Sequence, residues 1–280
     1  MTESMSTVNR ILGTITTAAL LMLGGPEASG ADRSLVIVTS PTVKDAIHAL
    51  GQRFEQLHPE VRVQVAVDMS LDLRRTIAAM ENRGRSFIGT GPIHLVAPGG
   101  DELITRLEQK YYVLPGARAM YATEQLVLVA PEQLSEAPES FEALAQLESV
   151  RIAVADKSTR LGMETDRLMS TLGLKNRQLD IANERDGILD HLLGGQADLG
   201  IMFGHDAARV RQRVRVLAVA PTGLYQPVLH SIAMERYCPD RMLCEEFLRY
   251  VTNPDGQSVL KQLGYGPGRP PETPVQVPMP

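Results

Sequence analysis

Apolar residues recur along the chain with two different spacings, which predict strands followed by helices. Residues 35–38 (LVIV) form a short apolar, mostly β-branched run that is typical of a buried parallel strand. The next segment has apolar residues at helical spacing, at Val43, Ala46, Ile47, Leu50, Phe54 and Leu57. Residues 61–67 alternate strictly, which predicts a second strand, and a second helix is predicted from Leu73, Ile77 and Met80.

The same strand–turn–helix design returns in the second half of the chain. Strands are predicted at residues 125–131, 150–155, 199–203, 214–219 and 228–234, and helices at residues 163–172, 188–193, 240–251 and 254–263. Strands that alternate with helices favour an α/β protein whose sheets are covered by helices. Because the chain leaves its first half once and returns to it once, we expect two lobes with a ligand cleft between them.

A hydroxyl-rich turn, residues 39–42 (TSPT), joins the first predicted strand to the first predicted helix. A helix start of this kind suits an anion, because free backbone N–H groups and the positive end of the helix dipole point at it. Ser70 is another hydroxyl at a predicted strand-to-helix junction. The alternative is that Ser40 or Thr42 only caps the helix.

Composition narrows the function classes. The 280 residues are 44% hydrophobic and carry a net charge of −5. The chain therefore lacks the excess of basic residues that would indicate nucleic acid as a partner. The six histidines are scattered without ligand spacing, so no metal site is predicted. Residues 89–91 (GTG) precede a strand and lack the third glycine of a dinucleotide-binding turn, so no cofactor is predicted either.

The two ends of the chain differ in composition from its middle. Residues 1–31 resemble a signal peptide, with Arg10 before an apolar run and small residues up to Ala31, so cleavage near Ala31 and export to the periplasm are expected. An uncleaved anchor is the alternative. Residues 266–280 are Pro-rich and are predicted to be a disordered tail. Cys238 and Cys244 are compatible with a disulfide or with two reduced thiols.

Several sequence pieces, in this order and at this spacing, resemble one protein family. They are VTSPTVKDAI, HPEVRVQ, DMSLDLRRTI, VLPGARAMYATEQLVLVAP, RIAVAD with RLGMETDRLM, ADLGIMFGHDA and FLRYVTNPDGQSVLKQLGY. Residues 35–265 are thereby similar to the molybdate-binding protein (ModA) family, the type II periplasmic solute-binding proteins of ABC importers. The resemblance implies a two-lobed type II periplasmic-binding-protein fold, each lobe a mixed sheet flanked by helices. Lobe 1 would comprise residues 32–120 and 234–265, and lobe 2 residues 121–233.

The resemblance also implies which residues hold an oxyanion between the lobes. Hydroxyl donors would come from Thr42, where the family has Ser, and from Ser70, while Leu161 and Arg185 would offer backbone N–H groups. The family's tyrosine position falls on Phe203, which has lost the hydroxyl donor. Whether the side chains of Arg160 and Arg185 face the cleft or the solvent is open; in the cleft, Arg160 would be an additional ligand residue.

A site of this composition would contain hydrogen-bond donors only. It would accept a fully deprotonated oxyanion and reject a protonated one, because a buried O–H group without an acceptor is costly. The resemblance thus implies a monomeric, non-enzymatic protein that binds molybdate or tungstate in the periplasm and delivers it to an ABC transporter permease. One alternative is a binding or sensing protein for an organic carboxylate or other anion. Another is an enzyme on the same fold, although no nucleophile–base motif supports it.

Overall fold

The computed structural model describes residues 33–68, 86–87, 91–134, 137–147, 149–174, 179–182 and 187–269. The expected signal peptide (1–31), Ser70 with the predicted second helix, and Arg185 lie outside these ranges. No helix within them combines the length and the apolar character that a membrane span requires.

The described strands and helices alternate along much of the chain. In chain order the strands are β1 Arg33–Thr39, β2 Val61–Val67, β3 Ser86–Phe87, β4 Gly91–Pro92, β5 Leu95–Ala97, β6 Val113–Thr123, β7 Leu126–Pro131, β8 Ile152–Ala155, β9 Leu179–Ala182, β10 Leu199–Phe203, β11 Val214–Val219, β12 Leu229–Glu235 and β13 Gly266–Arg269. The α-helices are α1 Lys44–Leu57, α2 Asp101–Gln109, α3 Arg160–Thr171, α4 Gly187–Leu193, α5 Gly204–Arg209, α6 Arg241–Tyr250 and α7 Pro254–Gln262. Short 3-10 helices occur at Pro41–Val43 and Glu142–Gln146.

The first sheet has six strands in the order β13-β6-β12-β5-β1-β2. β1 pairs in parallel with β2 and β5, whereas β12 and β13 pair antiparallel with their neighbours. Helix α1 covers this sheet with its predicted apolar face, in which Leu50 and Phe54 are fully inaccessible. Leu57, predicted on the same face, is 40% exposed at the end of the helix. The ring of Phe54 lies 5.0 Å from that of Phe247 and 5.1 Å from that of Tyr250, both on α6.

The second sheet has five strands in the order β11-β7-β10-β8-β9. β8 pairs in parallel with β9 and β10, whereas β7 pairs antiparallel with β10 and β11. A hydrophobic core separate from that of the first sheet includes residues of the three helices on this sheet, namely Leu161, Leu168, Ile188, Leu192 and Ala207. Both sheets are thus mixed and flanked by helices, as expected.

The chain crosses between the two sheets at two places. Glu124 and Gln125 join β6 to β7, and residues 220–228 join β11 to β12. The expected lobe boundaries after residues 120 and 233 fall inside β6 and β12, so both were misplaced. Both strands belong to the first sheet, and their apolar patterns carried no information about which sheet they join, because tertiary pairing decides that.

The expected disordered tail begins instead with a strand. β13 (GPGR) pairs antiparallel with β6, and the side-chain Oε1 of Gln257 accepts a hydrogen bond from the Gly268 N–H at 2.8 Å. A Cβ atom at Gly268 would overlap the backbone oxygens of Met120 and Tyr121, so the glycine permits the close approach of the two strands. Composition alone favoured disorder and missed this contact; residues 270–280 lie outside the described ranges.

Cys238 and Cys244 form a disulfide, which settles the alternative left open by the sequence. Cys238 follows β12 and Cys244 lies on α6, and both side chains are buried in the core of the first sheet. The bond therefore ties the end of a central strand to the helix that covers it.

Replacing both cysteines by alanine is expected to lower the free energy of unfolding by about 2 kcal/mol, because the unfolded chain regains the entropy that closing a short loop removes. Urea unfolding of the wild type with and without reductant, beside the double variant, measures the effect. Reductant should shift the wild-type midpoint and leave the double variant unchanged. An unshifted wild-type midpoint would show that the thiols are not joined.

Candidate functional site

The carboxyl end of β1 delivers Thr42 to the space between the sheets. Backbone hydrogen bonds from Ser40 N–H to Ala97 O (3.2 Å) and from Asp68 N–H to Thr39 O (2.9 Å) fix the end of the strand against its two parallel neighbours. The chain then makes the 3-10 turn Pro41–Val43, in which Thr42 is exposed. Val43 is the N-cap of α1 and the Ser40 side chain makes no capping hydrogen bond, so the capping interpretation is wrong for Ser40 and Thr42 is not at the capping position.

The N-terminus of α3 faces the same space from the second sheet. Thr159 caps this helix: its Oγ1 accepts from the Gly162 N–H at 3.0 Å and donates to Asp156 O at 2.7 Å. The Met163 N–H makes the first backbone bond of the helix, to Thr159 O at 3.0 Å. The N–H groups of Arg160 and Leu161 precede it, where a helix offers no acceptor of its own.

One cavity of about 330 Å³ brings these two ends together. Its wall includes four of the residues implicated by the family resemblance, Thr42, Arg160, Leu161 and Phe203. The rest of the wall is formed by Gly99, Glu102, Glu124, Thr159, Val228 and His230. A larger groove of about 970 Å³ shares Glu102 and Arg160 with this cavity. Ser70 and Arg185 lie outside the described residues, so their places relative to the cavity stay predictions.

Arg160 and Phe203 contribute a charged and an apolar side chain to the wall. The Arg160 side chain is 44% exposed, and its Nε lies 3.3 Å from Glu164 Oε1 one helical turn later. Arg160 therefore lines the cleft while keeping an ion-pair partner. Phe203 is buried and its ring stacks near that of His205, with 6.1 Å between the ring centroids. Because Phe203 lacks the hydroxyl of the tyrosine expected at this position, its ring leaves an apolar patch in the wall.

The wall also contains acceptors, because Glu102 and Glu124 line it. The expectation of a donor-only site is therefore wrong. Sequence reasoning considered Asp72, Glu184 and Asp186 as possible acceptors near the site, but it did not consider Glu102 or Glu124. Glu124 reaches the cavity from the first crossover between the sheets. Glu124 is anchored there by its backbone, whose N–H donates to Val228 O at 2.8 Å.

Glu124 is the centre of a buried polar cluster that connects the two sheets. Its Oε2 lies 2.8 Å from His205 Nδ1 on α5, and its Oε1 lies 3.0 Å from His230 Nε2 on β12. The other ring nitrogen of His205 lies 3.2 Å from Asp206 Oδ1. The His205 ring stacks face to face on Tyr265, with centroids 5.1 Å apart and 2° between the planes. Side chains of both lobes thus meet on the crossover residue.

The cluster shifts the pKa values of two members in opposite directions. Burial alone would raise the pKa of Glu124, but hydrogen bonds from His205 and His230 and their positive charge lower it to about 2. Burial alone would lower the pKa of His205, but hydrogen bonds and charge from Asp206 and Glu124 raise it to about 9. At neutral pH Glu124 is therefore ionised and His205 is a cation.

Sequence reasoning missed this cluster because its members are far apart in the chain. Glu124 lies 81 residues before His205 and 106 residues before His230. The available signal was a polar residue placed beside or within an apolar run, as His230 is in LHSIAM. In the described part of the chain, no group of three or more His, Cys, Asp or Glu side chains is arranged to hold a metal ion.

Comparisons with known proteins find a family model, curated relatives and solved structures that match most of the chain. A family model described as bacterial extracellular solute-binding protein matches residues 35–266. The molybdate-binding protein ModA of Mycobacterium tuberculosis is 23% identical over 233 residues, which cover 83% of this chain and 84% of the relative. Among solved structures, the substrate binding domain of a putative molybdenum ABC transporter from Clostridium difficile matches with a TM-score of 0.72 and 17% identity, over 84% of this chain and 99% of that one. The Azotobacter vinelandii periplasmic molybdate-binding protein matches with a TM-score of 0.55 and 16% identity, over 83% and 98%.

Proposed function

Because the chain belongs to the bacterial extracellular solute-binding protein family, we propose that it is a periplasmic substrate-binding protein of an ABC importer. It captures a small tetrahedral oxyanion in the cavity between the two sheets and presents it to the permease. The expected two-lobed type II periplasmic-binding-protein fold is confirmed by the two mixed, helix-flanked sheets and by the structural neighbours. The proposal includes export of the protein, directed by residues 1–31 as a signal peptide, and a monomeric state.

The observation that carries the proposal is the convergence of Thr42 and the α3 N-terminus on one cavity. The Thr42 hydroxyl comes from the first sheet, and the N–H groups of Arg160 and Leu161 come from the second. Oxyanions bind at helix N-termini because the backbone donors and the helix dipole both favour negative charge. A ligand held by donors of both lobes would also favour the closed arrangement of the two.

The names of the relatives put molybdate first among the anions to be tested. Tungstate, a tetrahedral dianion like molybdate, is tested beside it. An organic carboxylate is a second candidate, which the larger groove beside Arg160 favours. A guanidinium group pairs well with a carboxylate through two parallel hydrogen bonds. The groove would accommodate the organic part of such a ligand, whereas a bare tetrahedral oxyanion needs only the smaller cavity.

The arrangement of His205 argues against an enzyme that uses it as a general base. Both of its ring nitrogens face carboxylates, those of Glu124 and Asp206. A nucleophile–base pair needs one ring nitrogen directed at a hydroxyl or thiol. We therefore propose binding without catalysis.

Thr42→Ala is expected to weaken anion binding by about 1.5–3 kcal/mol, because it removes one hydrogen bond to a charged ligand. Thr42→Ser keeps the hydroxyl and should bind within a few-fold of the wild type. Isothermal titration calorimetry with molybdate, tungstate, sulfate and phosphate measures both variants. The matched control is Thr171→Ala, at the exposed end of α3.

Two results would count against the proposal in different ways. If the wild type binds none of these anions, the oxyanion function is wrong, and carboxylates become the next ligands to test. If it binds one of them and Thr42→Ala binds equally well, the function stands and the assigned role of Thr42 is wrong.

A further inference from the structure

Glu124, whose carboxylate is buried, lines the proposed anion cavity. Its side chain is 3% exposed, and each of its oxygens has one histidine partner, His205 or His230. A carboxylate has about four lone-pair positions, so two hydrogen bonds from the described part of the chain leave acceptor capacity unused. Unused acceptor capacity on an ionised group at a ligand cavity indicates a donor on the ligand.

The charge of Glu124 does not by itself exclude an anion from the cavity. His205 neutralises it from one side, and Arg160 lines the same cavity. A bare oxyanion would nevertheless direct a lone pair at the carboxylate wherever the two come into contact. An oxyanion that keeps one proton can turn its O–H group to this position and its bare oxygens to Thr42 and the α3 N-terminus.

We infer that Glu124 is a specificity-determining residue and that the oxyanion bound here carries one proton, as hydrogenphosphate and hydrogenarsenate do. This inference rests on the proposed function and names the ligand class within it. It places a hydrogen bond from the ligand's O–H group to the Glu124 carboxylate. The remaining ligand oxygens accept hydrogen bonds from the donors already described.

Pairs of isosteric anions test the inference on the unmodified protein. In mildly alkaline buffer, hydrogenphosphate and sulfate have the same charge and nearly the same size, and they differ by one proton; hydrogenarsenate and selenate form a second such pair. Calorimetric titration should show the protonated member of each pair binding about 10- to 100-fold more tightly, the value of one hydrogen bond to a charged group.

The opposite order, or equal affinity within each pair, would overturn the inference. Tight binding of molybdate or sulfate without phosphate binding would leave the proposed oxyanion function standing and remove the role of Glu124. Binding of none of these anions would overturn both.

Glu124→Gln provides a second, independent measurement. The amide replaces one acceptor oxygen by an NH₂ donor. Hydrogenphosphate should therefore bind about 10-fold more weakly and sulfate more tightly, which narrows or reverses the preference for hydrogenphosphate over sulfate. Glu132→Gln, in the exposed turn after β7, is the matched control and should keep the wild-type order. Circular dichroism verifies that both variants are folded; if Glu124→Gln is not, the isosteric pairs on the wild type decide.

Discussion

Gly162→Ala is expected to destabilise the second lobe by about 3 kcal/mol and to weaken anion binding at least about 10-fold. Gly162 is the third residue of α3, and its N–H is bound by the capping Thr159. A Cβ atom there would overlap the backbone oxygen of Asp156 and lie 2.6 Å from that of Ala155. Because both obstacles are backbone atoms, the helix start must move away, and the N–H groups of Arg160 and Leu161 move with it.

Chemical denaturation and calorimetry on the same variant separate the two effects. Gly223→Ala is the matched control, because a Cβ atom there meets nothing within 4 Å. It should leave both stability and affinity within error of the wild type. If Gly162→Ala proves as stable as the control and binds anion normally, the N-terminus of α3 does not form the site.

The stability of the protein is expected to fall by about 3 kcal/mol as the pH rises from 6.5 to 9, because His205 loses its proton. The folded-state pKa of His205, about 9, lies above its ordinary value of 6.5. The stabilisation is therefore complete below pH 6.5 and is lost as the pH passes through the folded-state value. For Glu124 the folded-state pKa is lowered from 4.5 to about 2, so its contribution is present above pH 4.5 and is lost on acidification.

A series of urea denaturation curves between pH 3 and 10 measures the alkaline limb and the acid limb of the plot of stability against pH. His205→Gln should flatten the alkaline limb, because the amide does not titrate. His48→Gln, at an exposed position of α1, should leave the limb unchanged. An alkaline limb that persists in His205→Gln would assign the loss of stability to other groups.

The predicted site residues that the structure describes do line one cavity, and the reason is local. Thr42 and Leu161 each follow a buried strand and begin a helix, and the carboxyl ends of such strands face the cleft. Strand, turn and helix are all visible within about a dozen residues of sequence, so motif order was sufficient to place both residues at the cavity. Their role in ligand binding stays a prediction. The same local signal named Ser70 and Arg185, which remain predictions.

Neither the role of Glu124 nor the strand β6 could be predicted from the local sequence, and the reasons differ. The role of Glu124 depends on partners on α5 and β12, which the fold alone brings together. β6 contains Pro115 and Gly116, which interrupt its apolar alternation, and it is ordered by pairing with β12 and β13 on its two sides. Long-range pairing of this kind leaves no periodicity in the strand itself.

The short strand β13 also has a consequence for handling the protein in the laboratory. It occupies the outer edge of β6, pairing from Thr123 to Met120. A chain truncated after Tyr265 would leave the peptide groups of this edge open, and open edges recruit strands from other molecules. Deleting all residues after Tyr265 would therefore favour self-association when the protein solution is concentrated. The truncation best suited to crystallisation keeps Arg269.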